Sequence, residues 1–139
     1  MTLNIKKLCV GADSLSDLYY RQKQIRDNLR STVHITRMFP KRFEEVLQGG
    51  SLYWVIKSKL CVRQEILNIE RFIDSNGVKR CKIELNESLM LTVPHKERPF
   101  QGWRYLETKD SPQDTRIFDI IDDNSDQEMV SDLHNLGLV

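Results

Sequence analysis

A chain of 139 residues, 40% hydrophobic and 29% charged, has the make-up of one ordinary globular domain, which excludes disorder and fibrous repeats and calls for no disulfide or metal to fold. Apolar runs such as Tyr53-Trp54-Val55-Ile56 fall far short of the ~20 residues that span a bilayer, and Met1–Lys7 leads into no apolar signal region, so a cytoplasmic protein without membrane association is expected. The net charge of +1 conceals a division: residues 1–106 hold 19 Lys/Arg against 11 Asp/Glu, whereas residues 107–139 hold 2 against 9, a basic body with an acidic extension.

In chain order, the segment from Leu3 to Val10 reads as a strand closed by Gly11. Ser14 with Asp17 three residues on resembles a capping box, and Leu15, Leu18, Tyr19, Ile25 and Leu29 recur at helical spacing, so a helix over about 14–30 follows. The β-branched stretch Thr32–Met38 suits a second strand. Pro40 opens a short helix carrying Phe43, Val46 and Leu47 on one face, and Gly49-Gly50 stops it. Ser51–Lys57 is the strongest strand signal. Alternation through Leu60, Val62, Ile66 and Ile69 makes a long following strand, with a bulge where the apolar phase shifts near Glu65. Asp74-Ser75-Asn76-Gly77 is a hairpin turn, and Cys81, Ile83 and Leu85 alternate inward on the return strand. Leu89, Leu91 and Val93 offer one more strand. Pro94 and Pro99 bracket a loop, His95-Lys96-Glu97-Arg98, before Phe100–Leu106 resumes the pattern. Ser125-Asp126-Gln127-Glu128 is a second capping box, with Met129, Val130, Leu133 and Leu136 behind it and Gly137 as terminator.

Three stretches carry a family resemblance: Lys7-Leu8-Cys9-Val10-Gly11, then Gly49-Gly50-Ser51-Leu52-Tyr53-Trp54-Val55-Ile56-Lys57, then Arg98-Pro99-Phe100-Gln101-Gly102-Trp103-Arg104-Tyr105-Leu106. From about residue 3 to Asp114 the chain resembles the domain-of-unknown-function 1489 family of bacterial proteins, which implies no activity. The resemblance implies a glycine after Lys57, where this chain has Ser58. At the level of fold alone, Phe39 through Lys57 is similar to the PUA-like class of RNA-associated barrels, including ASCH-type domains, in which a short helix ending in glycine feeds a barrel strand.

The residues narrow the chemistry. Cys9, Cys61 and Cys81 are odd in number and sit in apolar or alternating segments, as reduced core thiols do. The Cys and His residues are dispersed, with no C-x-x-C or H-x-x-x-H, so no metal site is expected. Neither G-x-x-x-x-G-K-[ST] nor G-x-G-x-x-G is present, and no cofactor is implied. Asp122-Asp123-Asn124-Ser125-Asp126 lacks the Gly and Glu placement of an EF-hand. Nothing in the strand pattern brings Cys61 or Cys81 to His34 or His95.

What remains is an aromatic and basic set. The expectation is an α+β fold, a small and mostly antiparallel β-barrel or curved sheet with flanking helices, formed by residues 1–114 with an acidic extension over 115–139. It binds RNA or a nucleotide: Arg37, Lys57, Arg98 and Arg104 hold phosphates, Trp103 or Tyr53 stacks a base, and His95 faces anions from its loop. Two rival readings are a protein-interaction module acting through the acidic C-terminal helix, and a nucleic-acid-processing enzyme with His95 and Glu97 or Glu65 as acid and base.

Overall fold

The chain pairs its first and third strands side by side in parallel and builds the rest of one mixed sheet around them by antiparallel steps. The computed structural model describes residues 2–119. Its elements are β1 (Leu3–Leu8), α1 (Leu15–Leu29), β2 (Thr32–Thr36), α2 (Phe43–Val46), β3 (Ser51–Ile56), β4 (Lys59–Ile73), β5 (Lys79–Leu85), β6 (Met90–Lys96), β7 (Trp103–Glu107), a 3-10 turn at Thr108–Asp110 and β8 (Asp114–Ile117). The strands run β2-β5-β4-β3-β1-β7, and β6 joins β4 to β8. Of the two forms expected, the curved sheet is the one present; it does not close into a barrel. No helix among the described residues is long and apolar enough to cross a membrane.

Local chemistry sets the elements. Ser14 Oγ accepts the Asp17 N–H at 3.1 Å to start α1, and Arg30 ends it in the left-handed region at φ 61°. The α2 turn begins at Phe43, after a buried Pro40 rather than on it. Gly50 then has to be glycine, because a Cβ there would run into the carbonyls of Leu3 and Val46. The 15-residue β4 carries the whole sheet: its first half pairs with β3 and β6, its second half with β5, and a bulge between Ile66 and Asn68 separates them.

All six residues of β3 are buried, since both faces of the strand are covered. Leu52, Trp54 and Ile56 join Leu3, Ile5, Val62, Ile83 and Trp103 in the main core beneath α1 and α2. Tyr53 and Val55 join Leu60 and Leu106 on the opposite face, with Leu8 and Phe100 beside them. A polar knot sits inside the main core. Gln64, 1% exposed, accepts from Trp54 Nε1 at 2.8 Å and from Gln22 Nε2 at 2.7 Å. It donates to Gln22 Oε1 at 2.8 Å and to the Asn86 carbonyl at 2.9 Å.

The boundary drawn at residue 114 falls inside β8, which pairs with β6. Phe118 beyond it is buried in the main core against Tyr19, and Asp114 forms a two-pronged pair with Arg63 at 2.7 Å on each prong. The helix expected from the second capping box lies outside the described residues.

Candidate functional site

The site is built where β1, β3 and β6 end and β4 and β7 begin. A two-residue turn, Lys57-Ser58, joins β3 to β4 with both φ angles positive, at 50° and 65°, closed by the Ile56–Lys59 pair. The tight turn therefore forms without the glycine that the resemblance implies. Ser58's carbonyl accepts the Glu97 N–H at 2.9 Å, and Lys59 and Leu60 pair with Lys96 and His95. The expected loop at residues 95–98 is thus shorter: Pro94, His95 and Lys96 belong to β6, past the last β6–β8 pair, where a missing proline N–H costs no ladder bond.

From Glu97 the chain crosses to β7. Lys6 Nζ meets Glu97 Oε1 at 2.9 Å, and Lys6 pairs in register with Arg104. Both cations lie over the ring of Phe100, Lys6 at 5.6 Å and Arg104 at 5.1 Å from its centre, interactions worth about 0.5–1 kcal/mol each when exposed. One end of the sheet so gathers Lys6, Lys57, Lys59, His95, Lys96, Arg98 and Arg104, with Glu97 among them.

A cleft of ≈330 Å³ lies beside this cluster, lined by His95, Lys96 and Glu97 from the end of β6, Tyr105, Leu106 and Glu107 from β7, and Lys6 and Leu60. Arg42 and Asp110 complete it. The Arg42 guanidinium lies 5.4 Å from the Tyr105 ring and grips Glu45 through two bonds of 2.7 Å, while its backbone N–H donates to Tyr105 Oη at 3.1 Å. The cleft therefore holds both signs of charge, with the basic side toward the Lys57-Ser58 turn.

The structure brings together Lys57, His95, Arg98 and Arg104 of the expected set, all exposed. It removes the two stacking rings. Trp103 is 7% exposed, donates its indole N–H to the Met38 carbonyl at 3.0 Å and packs its ring on Tyr105. Tyr53 is 5% exposed; burial pushes its hydroxyl pKa up, against a hydrogen bond with Ser111. Both rings are core, so neither is a platform for a base. Arg37 leaves the end of β2 beside Met38, whose carbonyl accepts the Trp103 indole N–H. Lys6, Lys96 and Phe100 were missed. The alternation of β1 held a signal for Lys6, since Leu3, Ile5 and Cys9 take one face and leave Asn4, Lys6 and Leu8 to the other.

The thiols do not offer a nucleophile. Burial pushes Cys61 up to about 12 and Cys81 up to about 11, so both stay protonated at neutral pH. A family model described as a protein of unknown function (DUF1489) matches residues 5–139, reaching past Asp114 to the end of the chain. No curated protein and no solved structure matches.

Proposed function

We propose that this chain, which belongs to the DUF1489 family of proteins of unknown function, is a binding domain for single-stranded RNA or a nucleotide-bearing ligand, held by its phosphates at the basic end of the sheet. The observation that carries the reading is the convergence of Lys57, Lys96, Arg98 and Arg104 on one end, with Lys6 and Arg104 over Phe100. Point charges at a sheet end neutralise phosphates without reading bases, so affinity is tolerant of sequence and steeply dependent on salt. Stacking contributes little here, because Trp103 and Tyr53 are enclosed and Phe100 already has a cation on it. The short helix ending in Gly49-Gly50 and feeding β3 is the ground for a PUA-like reading of the fold.

The test is substitution across the cluster. Lys57→Ala and Arg104→Ala each weaken binding to unrelated RNA sequences by similar factors and make the salt slope shallower by about 0.7 for each phosphate no longer neutralised. Lys79→Ala, on the far hairpin of β4 and β5, leaves both unchanged. Equal effects at Lys57 and Lys79 would mean general charge attraction rather than a site.

A second reading is favoured by one observation: His95 and Glu97 line the same cleft, as an acid and base acting on a nucleotide would. Glu65, the other carboxylate considered for that role, pairs with Ser51 on β4 away from the cleft. Under this reading His95→Ala abolishes turnover and leaves the fold unchanged. The interaction-module reading rests on a helix outside the described residues.

A further inference from the structure

A second cavity, ≈100 Å³, lies on the helix side of the sheet between α1, β1, β2 and β3. Three basic side chains line it: Lys7 from β1, Arg21 from α1 and His34 from β2. Cations gathered under partial burial are ordinarily neutralised by carboxylates, because a desolvated charge without a counter-charge is costly. Among the described residues, neither Lys7 nor Arg21 forms an ion pair. Arg21 reaches the Cys9 sulfur at 3.9 Å, and a Cβ added to Gly11 would sit 3.1 Å from its guanidinium. Asp17, whose charge is felt at Cys9, accepts the Asp13 N–H at 2.9 Å and forms no ion pair with Arg21. Burial holds the Lys7 ammonium below its ordinary range.

The third residue is equally incomplete. His34 Nε2 is a buried nitrogen with no hydrogen-bond partner among the described residues, where such atoms are nearly always satisfied. The ring is fixed edge-on to Trp54, 5.2 Å away at 86°, and Trp54 is itself pinned through Gln64 to Gln22 of α1. Burial, then Lys7 and Arg21, push the imidazole down to about 4, so it is neutral and carries one N–H donor.

We propose that this cavity binds a tetrahedral oxyanion, either inorganic phosphate or the phosphate end of a small monoester, with Lys7 and Arg21 supplying the charge and His34 Nε2 a hydrogen bond. A phosphate dianion provides the counter-charge that both cations lack and an acceptor for the unpartnered nitrogen in one step. A cavity of this size has room for one phosphate group. The rest of an ester would lie at the mouth, past exposed Val10. Lys6 and Lys7 alternate to opposite faces of β1, so this site is separate from the cleft and does not depend on its function.

The test is a titration of the full chain at constant ionic strength with inorganic phosphate, and in parallel with adenosine monophosphate, following the His34 side-chain nitrogens by NMR. A saturable shift at His34, with a Kd of about 1 mM or tighter, is expected, with perturbation at Lys7 and Arg21; a response at His95 and Arg98 reports the separate basic end of the sheet. Response to both probes identifies an ester-accepting site; response to phosphate alone identifies a site for the free ion. Lys7→Met and Arg21→Met should each weaken binding about tenfold or more, with Arg21→Lys retaining part of it. No saturable His34 shift with either probe in the unsubstituted protein overturns the proposal, as does an equal response to chloride.

Discussion

Replacing Gln64 by Leu should expose how the knot beneath α1 is wired. Gln64 uses all four of its hydrogen-bonding positions inside the core, so Gln64→Leu orphans the Trp54 indole N–H, the Asn86 carbonyl, and one donor and one acceptor of Gln22. Each buried group left unpaired costs about 1–3 kcal/mol, and the leucine recovers part of this by burial, so a loss of about 3–5 kcal/mol is expected. Gln22→Leu orphans only the two Gln64 groups that faced it, for about 2–3 kcal/mol. With both changed, only the Trp54 N–H and the Asn86 carbonyl remain without partners, four orphaned groups fewer than in the two singles together, so the double variant should be about 4 kcal/mol more stable than the sum of the singles implies. Urea denaturation of the four proteins measures the cycle. Additive losses would refute the reasoning, because they would mean that the two amides do not share their bonds.

Three other outcomes follow from particular residues. Ser58→Gly should stabilise the protein by about 0.5–1 kcal/mol in thermal melting, since a left-handed φ of 65° strains a residue with a Cβ. Phe118→Ala should cost about 3 kcal/mol in chemical denaturation, because the ring is buried against Tyr19 and the core; a loss near zero would detach β8 from the domain. Stability should also fall as pH drops from about 6.5 toward 4, the window in which the unfolded chain binds a proton at His34 and the folded one does not. By linkage that loss is on the order of 3 kcal/mol, and comparison of denaturation curves should find it reduced in His34→Phe.

Most of the sheet was legible because its strands alternate around strong turn signals: Asp74–Gly77 closes β4 onto β5, and Ile83 and Leu85 face the core as expected. The bulge near Glu65 was legible from a change of apolar phase, and it lies between Ile66 and Asn68. β8 was not, since Asp114-Thr115-Arg116-Ile117 is mostly polar and exposed along its length, and its reason for pairing is the distant edge of β6. Leu29, counted on the apolar face of α1, is 58% exposed, while Gln22 is buried there through a partner 42 residues away. The candidate site divides along the same line. Lys57, Arg98 and Arg104 sit in motifs that the sequence marked, but the loss of Trp103 and Tyr53 as stacking surfaces depends on both faces of the sheet being covered. The cavity holding Lys7, Arg21 and His34 joins three elements that no local pattern connects.

Phosphate recognition at the basic end of the sheet is tested most directly by fluorescence anisotropy of the full chain with short, unrelated single-stranded RNAs across a salt series. Neutralisation of one phosphate each by Lys57, Lys96, Arg98 and Arg104 predicts a fall in log affinity with log salt of slope about −3, the same for each sequence. Binding that is absent at low salt, or that persists unchanged as salt rises, would contradict it.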